Sequence, residues 1–203
     1  MKTLFPAAIL IAFLAMPAQA ASLSKTYSYF TIGGTTLSEI EQELQKRGPK
    51  VQSTGSRHPG ATRMEFKTRI GYGEHKGRCG VVEAKVTVKA HMILPRWKRR
   101  GRADADTRLI WDTLAADIKR HEESHIVIAR NHAREMEEAL KRIRRERSCA
   151  AAQEKAKGTT AKILEKHDRE QARFDKIEGI NFESRMLRLI RYRIERMEAG
   201  TLR

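Results

Sequence analysis

Five consecutive residues, His121-Glu122-Glu123-Ser124-His125, have the types and spacing of a metal-dependent hydrolase because they form the pattern H-E-x-x-H. In an α-helix of about 3.6 residues per turn, positions four apart lie one above the other on the same face. Both imidazoles can therefore bind one Zn²⁺, and Glu122 can act as the general base toward water activated by zinc. The motif predicts a zinc metallopeptidase, an enzyme that hydrolyses peptide bonds.

The motif lies inside a long helix, predicted from about Thr107 to Arg147. Apolar residues lead into the motif at helical spacing between Ile110 and Ile118, and neither Gly nor Pro occurs between the motif and Cys149. A continuous helix is what the chemistry requires, since it fixes the separation of the two imidazoles. The alternative is that two histidines lie by chance on a solvated helix face.

A third metal ligand is expected from a second long helix, predicted at 152–178. A catalytic zinc site normally has three protein ligands and one open position. If the second helix folds back about a turn near residue 150, positions 175–179 face the two histidines. Asp175 and Glu178 are both candidates, with Glu178 slightly favoured because its longer side chain reaches further across a helix pair.

Three other polar residues near the motif are expected to have lesser roles. His132 lies on the same helix face as His125, but it is about 10 Å further along the helix and cannot reach the same metal. His167 is expected opposite His132, as two surface histidines or, alternatively, as a minor metal or hydrogen-bond site. Arg120 adjoins the motif but points away from it by helical phase, so we assign it no role.

Residues 1–20 predict a cleaved signal peptide. Lys2 supplies the positive start, Leu4 to Met16 is a short apolar run, and Ala18 to Ala20 is a cleavage site of the A-x-A type. The run is shorter than the roughly 20 residues that a membrane span needs, although an uncleaved anchor is the alternative. The remaining chain, 21–203, is expected to be exported as a single domain, in the periplasm or secreted.

Export places the chain in an oxidising compartment. It contains two cysteines, Cys79 and Cys149, so one disulfide bond is expected. A cysteine metal ligand is less consistent with this location, because oxidation would compete with metal binding.

The chain is strongly basic, with 41 Lys and Arg against 25 Asp and Glu and a formal net charge of +16. Such a charge favours an anionic partner. Nucleic acid is excluded as a partner because the chain is exported and few aromatic residues accompany the basic ones. The charge suits electrostatic contact with an anionic envelope surface, with a solvated basic face as the alternative.

The pattern of the whole chain predicts an α+β fold, with a sheet-rich part at 21–97 and a helical part at 103–203. A small, mainly antiparallel sheet is expected to pack on the long helical hairpin that carries H-E-x-x-H. A C-terminal amphipathic helix follows at 182–198. Strands are predicted at 25–32, 64–72 and 81–94, and a capped helix at 36–48.

The chain resembles a family of small bacterial proteins described as secreted zinc-dependent proteases, a domain family without established function. The resemblance covers most of the mature chain. It rests on the aromatic strand followed by Gly33-Gly34, the helix ending at Gly48-Pro49, the hairpin with Cys79, the segment Leu94-Pro95-Arg96-Trp97, the motif His121 to His125, Cys149 and Phe174-Asp175.

The resemblance implies zinc, His121 and His125 as ligands, Glu122 as base, and a Cys79–Cys149 bridge. The chain also departs from the family pattern, in which an aromatic–Asp pair is followed by Thr and then His-Gly. Here those later positions are occupied by Glu178, Ile180 and Asn181. Asp175 or Glu178 then takes the place of the family's histidine, or zinc binds weakly.

The sequence therefore predicts an exported zinc metallopeptidase whose partner is a peptide or protein substrate. A peptide could bind by adding a strand to an exposed edge of the sheet. The alternative is a non-catalytic envelope-binding protein with a vestigial or structural metal site.

Overall fold

The computed structural model describes residues 22–52 and 54–201, so the predicted signal peptide lies outside the described residues. The α+β fold predicted from the sequence is confirmed. Its elements are β1 (Ser22–Ile32), α1 (Leu37–Arg47), β2 (Ala61–His75), β3 (Arg78–Trp97), α2 (Ala105–Lys141), α3 (Cys149–Ile180) and α4 (Phe182–Glu198).

The three strands form one sheet in the order β1-β3-β2. β2 and β3 are antiparallel, as a hairpin requires, whereas β1 is parallel to β3, so the sheet is mixed. On β3 the predicted alternation buries every second side chain from Ala84 to Leu94. Val82 is the exception and is 63% exposed, because a bulge opposite Gly71 and Tyr72 makes it an extra residue in the ladder.

The buried face of β3 packs against α2, which is the central helix of the molecule. Apolar side chains of α2 lie at helical spacing against the sheet, and Glu137 among them is buried as well. The Glu137 carboxylate accepts a hydrogen bond from the backbone N–H of Val86 at 3.1 Å, which compensates part of the cost of its burial. The residues of α2 in this core are Ala129, Ala133, Met136 and Leu140.

α2 and α3 form the predicted helical hairpin, although α2 ends at Lys141 rather than near Arg147. The last residues of the connection pair with β3 instead, since the backbones of Glu146 and Cys79 exchange two hydrogen bonds. Ser148 caps the start of α3 by accepting from the N–H of Ala151. The predicted disulfide between Cys79 and Cys149 is present, and it joins the start of β3 to the start of α3.

α4 packs against α2 near the motif. Met186 is buried in this contact, and Arg185 forms an ion pair at 3.1 Å with Asp117 of α2, which is 4% exposed. Among residues 22–52 and 54–201, no helix combines the length and the apolar character needed to cross a membrane.

Candidate metal centre

Three side chains from the two helices of the hairpin converge on one point. His121 and His125 lie one turn apart on α2, and their Nε2 atoms are 3.0 Å apart. Asp175 of α3 places its Oδ1 atom 3.3 Å from Nε2 of His121 and 3.0 Å from Nε2 of His125. The antiparallel hairpin thus brings together residues that are 50 or more positions apart in the sequence.

The three atoms have the spacing of a zinc site. With ligands at about 2.0–2.1 Å in tetrahedral geometry, ligand atoms lie about 3.3 Å from each other. The observed separations of 3.0 to 3.3 Å are close to that value. Two imidazoles and one carboxylate are also a ligand set that catalytic zinc sites use. The residues present therefore fit Zn²⁺.

Glu178, the other candidate for the third ligand, forms ion pairs with two arginines. Its carboxylate pairs with Arg120 and lies 3.3 Å from Arg185, whereas its nearest approach to His121 is 3.7 Å, at Nδ1. Burial alone would raise the pKa of Glu178, but the hydrogen bond and charge of Arg120 hold that pKa below its ordinary value. Geometry therefore favours Asp175 as the third ligand, although side-chain length favours Glu178.

Arg120 corrects one expectation from helical phase. It does not point away from the site but donates hydrogen bonds to Asp117 at 2.8 Å and to Glu178. Together with Arg185 it forms a charged network at the rim of the centre. Helical phase places the Arg120 Cα correctly, but the long side chain reaches around the helix to the carboxylates.

The candidate ligands Asp175 and His125 each shift the pKa of the other. Burial would raise the pKa of Asp175, but hydrogen bonds from His121 and His125 outweigh burial and keep this pKa far below its usual range. Burial would lower the pKa of His125, yet its hydrogen bonds to Asp175 and Gln171 raise it. The site thus concentrates negative charge next to two imidazoles, an arrangement suited to a cation.

Glu122 follows His121 on α2 and is 5% exposed. The hydroxyl of Thr62 donates a hydrogen bond to its Oε2 atom at 2.8 Å. Burial raises the pKa of Glu122, and the Thr62 hydrogen bond and the neighbouring histidines only partly oppose that increase. A carboxylate with a raised pKa is better matched to proton transfer near neutral pH.

A cavity of about 220 Å³ opens beside these residues. His121, Glu122 and Asp175 all line it, so two of the candidate ligands and the candidate base face the same space. Gly60 lies against Glu122 at the wall, where a Cβ atom would come within 2.9 Å of Glu122 Oε1. Ile180, where the resemblance led us to expect a histidine, is 73% exposed and is not part of the cavity lining.

Two residues of α3 at the centre were not expected from the sequence. Gln171 accepts a hydrogen bond from Nδ1 of His125, and Phe174 stacks on the ring of His121 with centroids 5.0 Å apart. Both hold the imidazoles in place. Their spacing relative to Asp175 and Glu178 is that of one helix face, and this pattern could have identified them.

His132 and His167 face each other, as the hairpin predicted, but both are buried rather than on the surface. They are 2% and 6% exposed, and their ring centroids are 5.6 Å apart. Nε2 of His167 accepts from the amide of Gln171 at 2.9 Å, so this pair is connected to the metal centre through Gln171. Burial lowers the pKa of His167, which favours the neutral ring.

Residues 27–183 match the family described as "Bacterial protein of unknown function (DUF922)". The match covers more than half of the chain, so the chain belongs to this family. It includes the motif and the three candidate ligands, but most of α4 lies beyond it. No curated protein and no solved structure matches the chain. The family description names no reaction, so membership assigns no chemistry.

Proposed function

We propose that this member of the family is an exported zinc metallopeptidase. The observation that carries the proposal is the convergence of His121, His125 and Asp175 at 3.0 to 3.3 Å beside a buried glutamate. Zinc at such a site lowers the pKa of water and polarises a carbonyl group. A structural zinc site would instead have four protein ligands and no need for Glu122.

Each residue has a defined part in peptide hydrolysis. His121, His125 and Asp175 would hold the metal. Glu122 accepts a proton from the attacking water and delivers it to the leaving amine, in the manner of a general base and then a general acid. Its Oε2 atom is held by Thr62, which leaves Oε1, on the Gly60 side, to exchange the proton.

The sheet offers a binding surface for an extended peptide. β2 lies at one edge of the sheet, and Thr62 near its start contacts Glu122. A peptide that adds a strand to this edge would pass close to the metal centre, with backbone hydrogen bonds providing affinity independent of sequence. The substrate class that follows is an extended segment of a peptide or unfolded protein.

Replacement of Glu122 by Gln tests the proposal. The Glu122→Gln protein should keep zinc and its fold while losing peptide hydrolysis by at least about 100-fold, the low end for a general base. Glu123→Gln is the matched control, since Glu123 is adjacent but only pairs with Lys119 at 4.0 Å. Wild-type protein that holds zinc but cleaves no peptide in a broad library would contradict a peptidase.

Export is part of the same proposal. The Cys79–Cys149 disulfide supports it, because disulfides persist mainly in oxidising compartments. Cleavage of the predicted signal peptide would give a mature chain that starts at Ala21. N-terminal sequencing of protein from the cell envelope and the medium tests this, and an intact Met1 in both fractions would contradict it.

Envelope binding is the second candidate function, and α4 is the observation in its favour. This helix exposes Leu187, Ile194 and Met197 by 40 to 59% on one face, among several arginines. Apolar side chains flanked by cationic ones suit the surface of an anionic lipid bilayer. Co-sedimentation with phosphatidylglycerol vesicles but not phosphatidylcholine vesicles, at equal zinc content, would favour this function as an addition to catalysis.

A further inference from the structure

An apolar groove lies between α1, α2 and α4, outside the metal centre. It encloses about 560 Å³, within the range of about 300–1,000 Å³ that is usual for ligand sites. Each helix contributes aliphatic side chains to its walls: Leu37 from α1, Leu114 from α2, and Met186 and Ile190 from α4. A groove of this size and lining requires an explanation beyond the ordinary scatter of apolar residues on a surface.

The groove adjoins the cavity at the candidate metal centre. His58, Pro59, Ile118 and Phe182 line both spaces, so they form the boundary between them. Ile118 is also one helical turn before Glu122 on α2. A substrate residue whose backbone lay at the candidate metal centre would therefore have the groove as the neighbouring space for its side chain.

We infer that this groove binds a large apolar side chain of the peptide substrate, such as Leu, Met or Phe, next to the bond that is cut. The inference rests on the proposed peptidase function and adds a substrate class to it. Glu41 and Arg57 also line the groove, but aliphatic side chains form most of its walls, and a charged side chain would lose hydration against them. A small side chain would leave much of the space unfilled and forgo the contacts.

Side chains that line the groove are partly exposed to solvent, which is consistent with a site that binds an apolar side chain. Leu37 is 42% exposed and Phe182 is 44% exposed, so apolar surface at the groove remains in contact with water. An apolar side chain in the groove would remove that surface from water, which is the main favourable contribution to binding. The α4 wall, with Met186 and Ile190, lies beyond the family match, which ends at residue 183.

Cleavage of a peptide library by the zinc-loaded protein is the first test. The wild type should prefer Leu, Met or Phe over Ala and Asp beside the cut bond by at least about tenfold. Leu37→Glu and Ile190→Glu should each reduce this preference severalfold without changing zinc content. Val82→Glu is the control, because Val82 on β3 is 63% exposed and does not line the groove.

Cleavage without apolar preference, or a preference unchanged in both groove variants, would overturn the inference and leave the proposed peptidase intact. If the wild type cleaves no peptide, a binding experiment tests whether the groove takes an apolar side chain. An uncharged apolar dye, N-phenyl-1-naphthylamine, is titrated into zinc-free protein and displaced with the peptides Gly-Gly-Leu-Gly-Gly and Gly-Gly-Asp-Gly-Gly.

Displacement by the Leu peptide alone, with dye binding lost in Leu37→Glu and Ile190→Glu but kept in Val82→Glu, supports the groove assignment even if the peptidase function fails. Equal displacement by both peptides, or no dye binding, overturns it. A dimer of the wild type that dissociates in both groove variants would assign the groove to a second copy of the chain and also overturn it.

Discussion

Gln171 Oε1 lies 2.5 Å from Nδ1 of His125, on the opposite side of the ring from Asp175. The amide nitrogen of the same Gln171 donates to the backbone carbonyl of His125 at 3.1 Å and to Nε2 of His167 at 2.9 Å. All polar atoms of this side chain are therefore used in one orientation. The arrangement places the proton of neutral His125 on Nδ1 and leaves Nε2 free to bind a cation.

Loss of this contact should weaken zinc binding. Gln171→Leu removes the acceptor at Nδ1 of His125. Residues that accept a hydrogen bond from a metal-binding histidine typically contribute about 10- to 100-fold to metal affinity. Competition with a chromophoric chelator measures the affinity. Gln153→Leu is the control on the same helix, because Gln153 is exposed. Equal affinity in the Gln171 variant and the wild type would show that Gln171 does not orient the ligand.

The two candidate third ligands should behave differently. Asp175→Ala removes the carboxylate that lies 3.0 and 3.3 Å from the imidazoles and should abolish stoichiometric zinc. Glu178→Gln breaks an ion pair with Arg120 but should retain about one zinc per chain. Elemental analysis of protein purified without chelator distinguishes them. The opposite pattern would assign the ligand to Glu178.

A methyl group at Gly60 should disturb the candidate base and spare the ligands. The added Cβ would lie 2.8 Å from Ile118 Cγ2 and 2.9 Å from Glu122 Oε1, so Glu122 must move. Gly60→Ala should lower kcat/KM by roughly 10- to 100-fold, the effect of a misplacement of about 1 Å, with zinc content unchanged. Gly101→Ala should be neutral, because nothing lies within 4 Å of the added atom. Full activity in Gly60→Ala would argue against proton transfer at Oε1.

The attachment of α4 should depend on pH through Asp117. Burial alone would raise the pKa of Asp117, but hydrogen bonds from Arg185 and Arg120 outweigh burial and lower it. A carboxylate whose pKa is lowered on folding contributes stability above the unfolded value of about 3.9. This contribution disappears as the pH falls through the folded-state pKa.

Asp117→Asn should therefore cost about 3 kcal/mol at neutral pH, the low end for breaking a buried ion pair. The difference from wild type should shrink below a pH of about 4. Urea unfolding across this pH range measures it, with Glu154→Gln as an exposed control. A difference that stays constant down to a pH of about 3 would contradict the assignment.

The convergence of His121, His125 and Asp175 could be predicted in part because helices are regular. Given the rise per residue of a helix and a loop near residue 150, an antiparallel hairpin places 175–179 opposite His121 and His125. Choosing between Asp175 and Glu178 needed tertiary information. Glu178 is paired with Arg120 and Arg185, and the latter comes from α4, whose position the sequence pattern does not determine.

In the sheet, too, features within one strand could be predicted, whereas features that depend on strand pairing could not. Alternation along β3 predicted the buried face, because each side of a strand is repeated every second residue. The bulge at Val82 and the parallel pairing of β1 with β3 depend on how strands meet, which alternation within one strand does not encode. Thr62, which holds Glu122, was missed for this reason, since the contact joins β2 to α2.

The disulfide fixes only the N-terminal end of α3, because Cys149 is the first residue of that helix. The candidate ligand Asp175 lies near the other end. Under the proposed function, zinc bound there would hold the C-terminal part of α3, and α4 after it, by an interaction that depends on metal concentration. Zinc scarcity outside the cell would then favour local opening of this part while the rest stays folded. The lifetime of the protein among other proteases would follow the zinc supply of its surroundings.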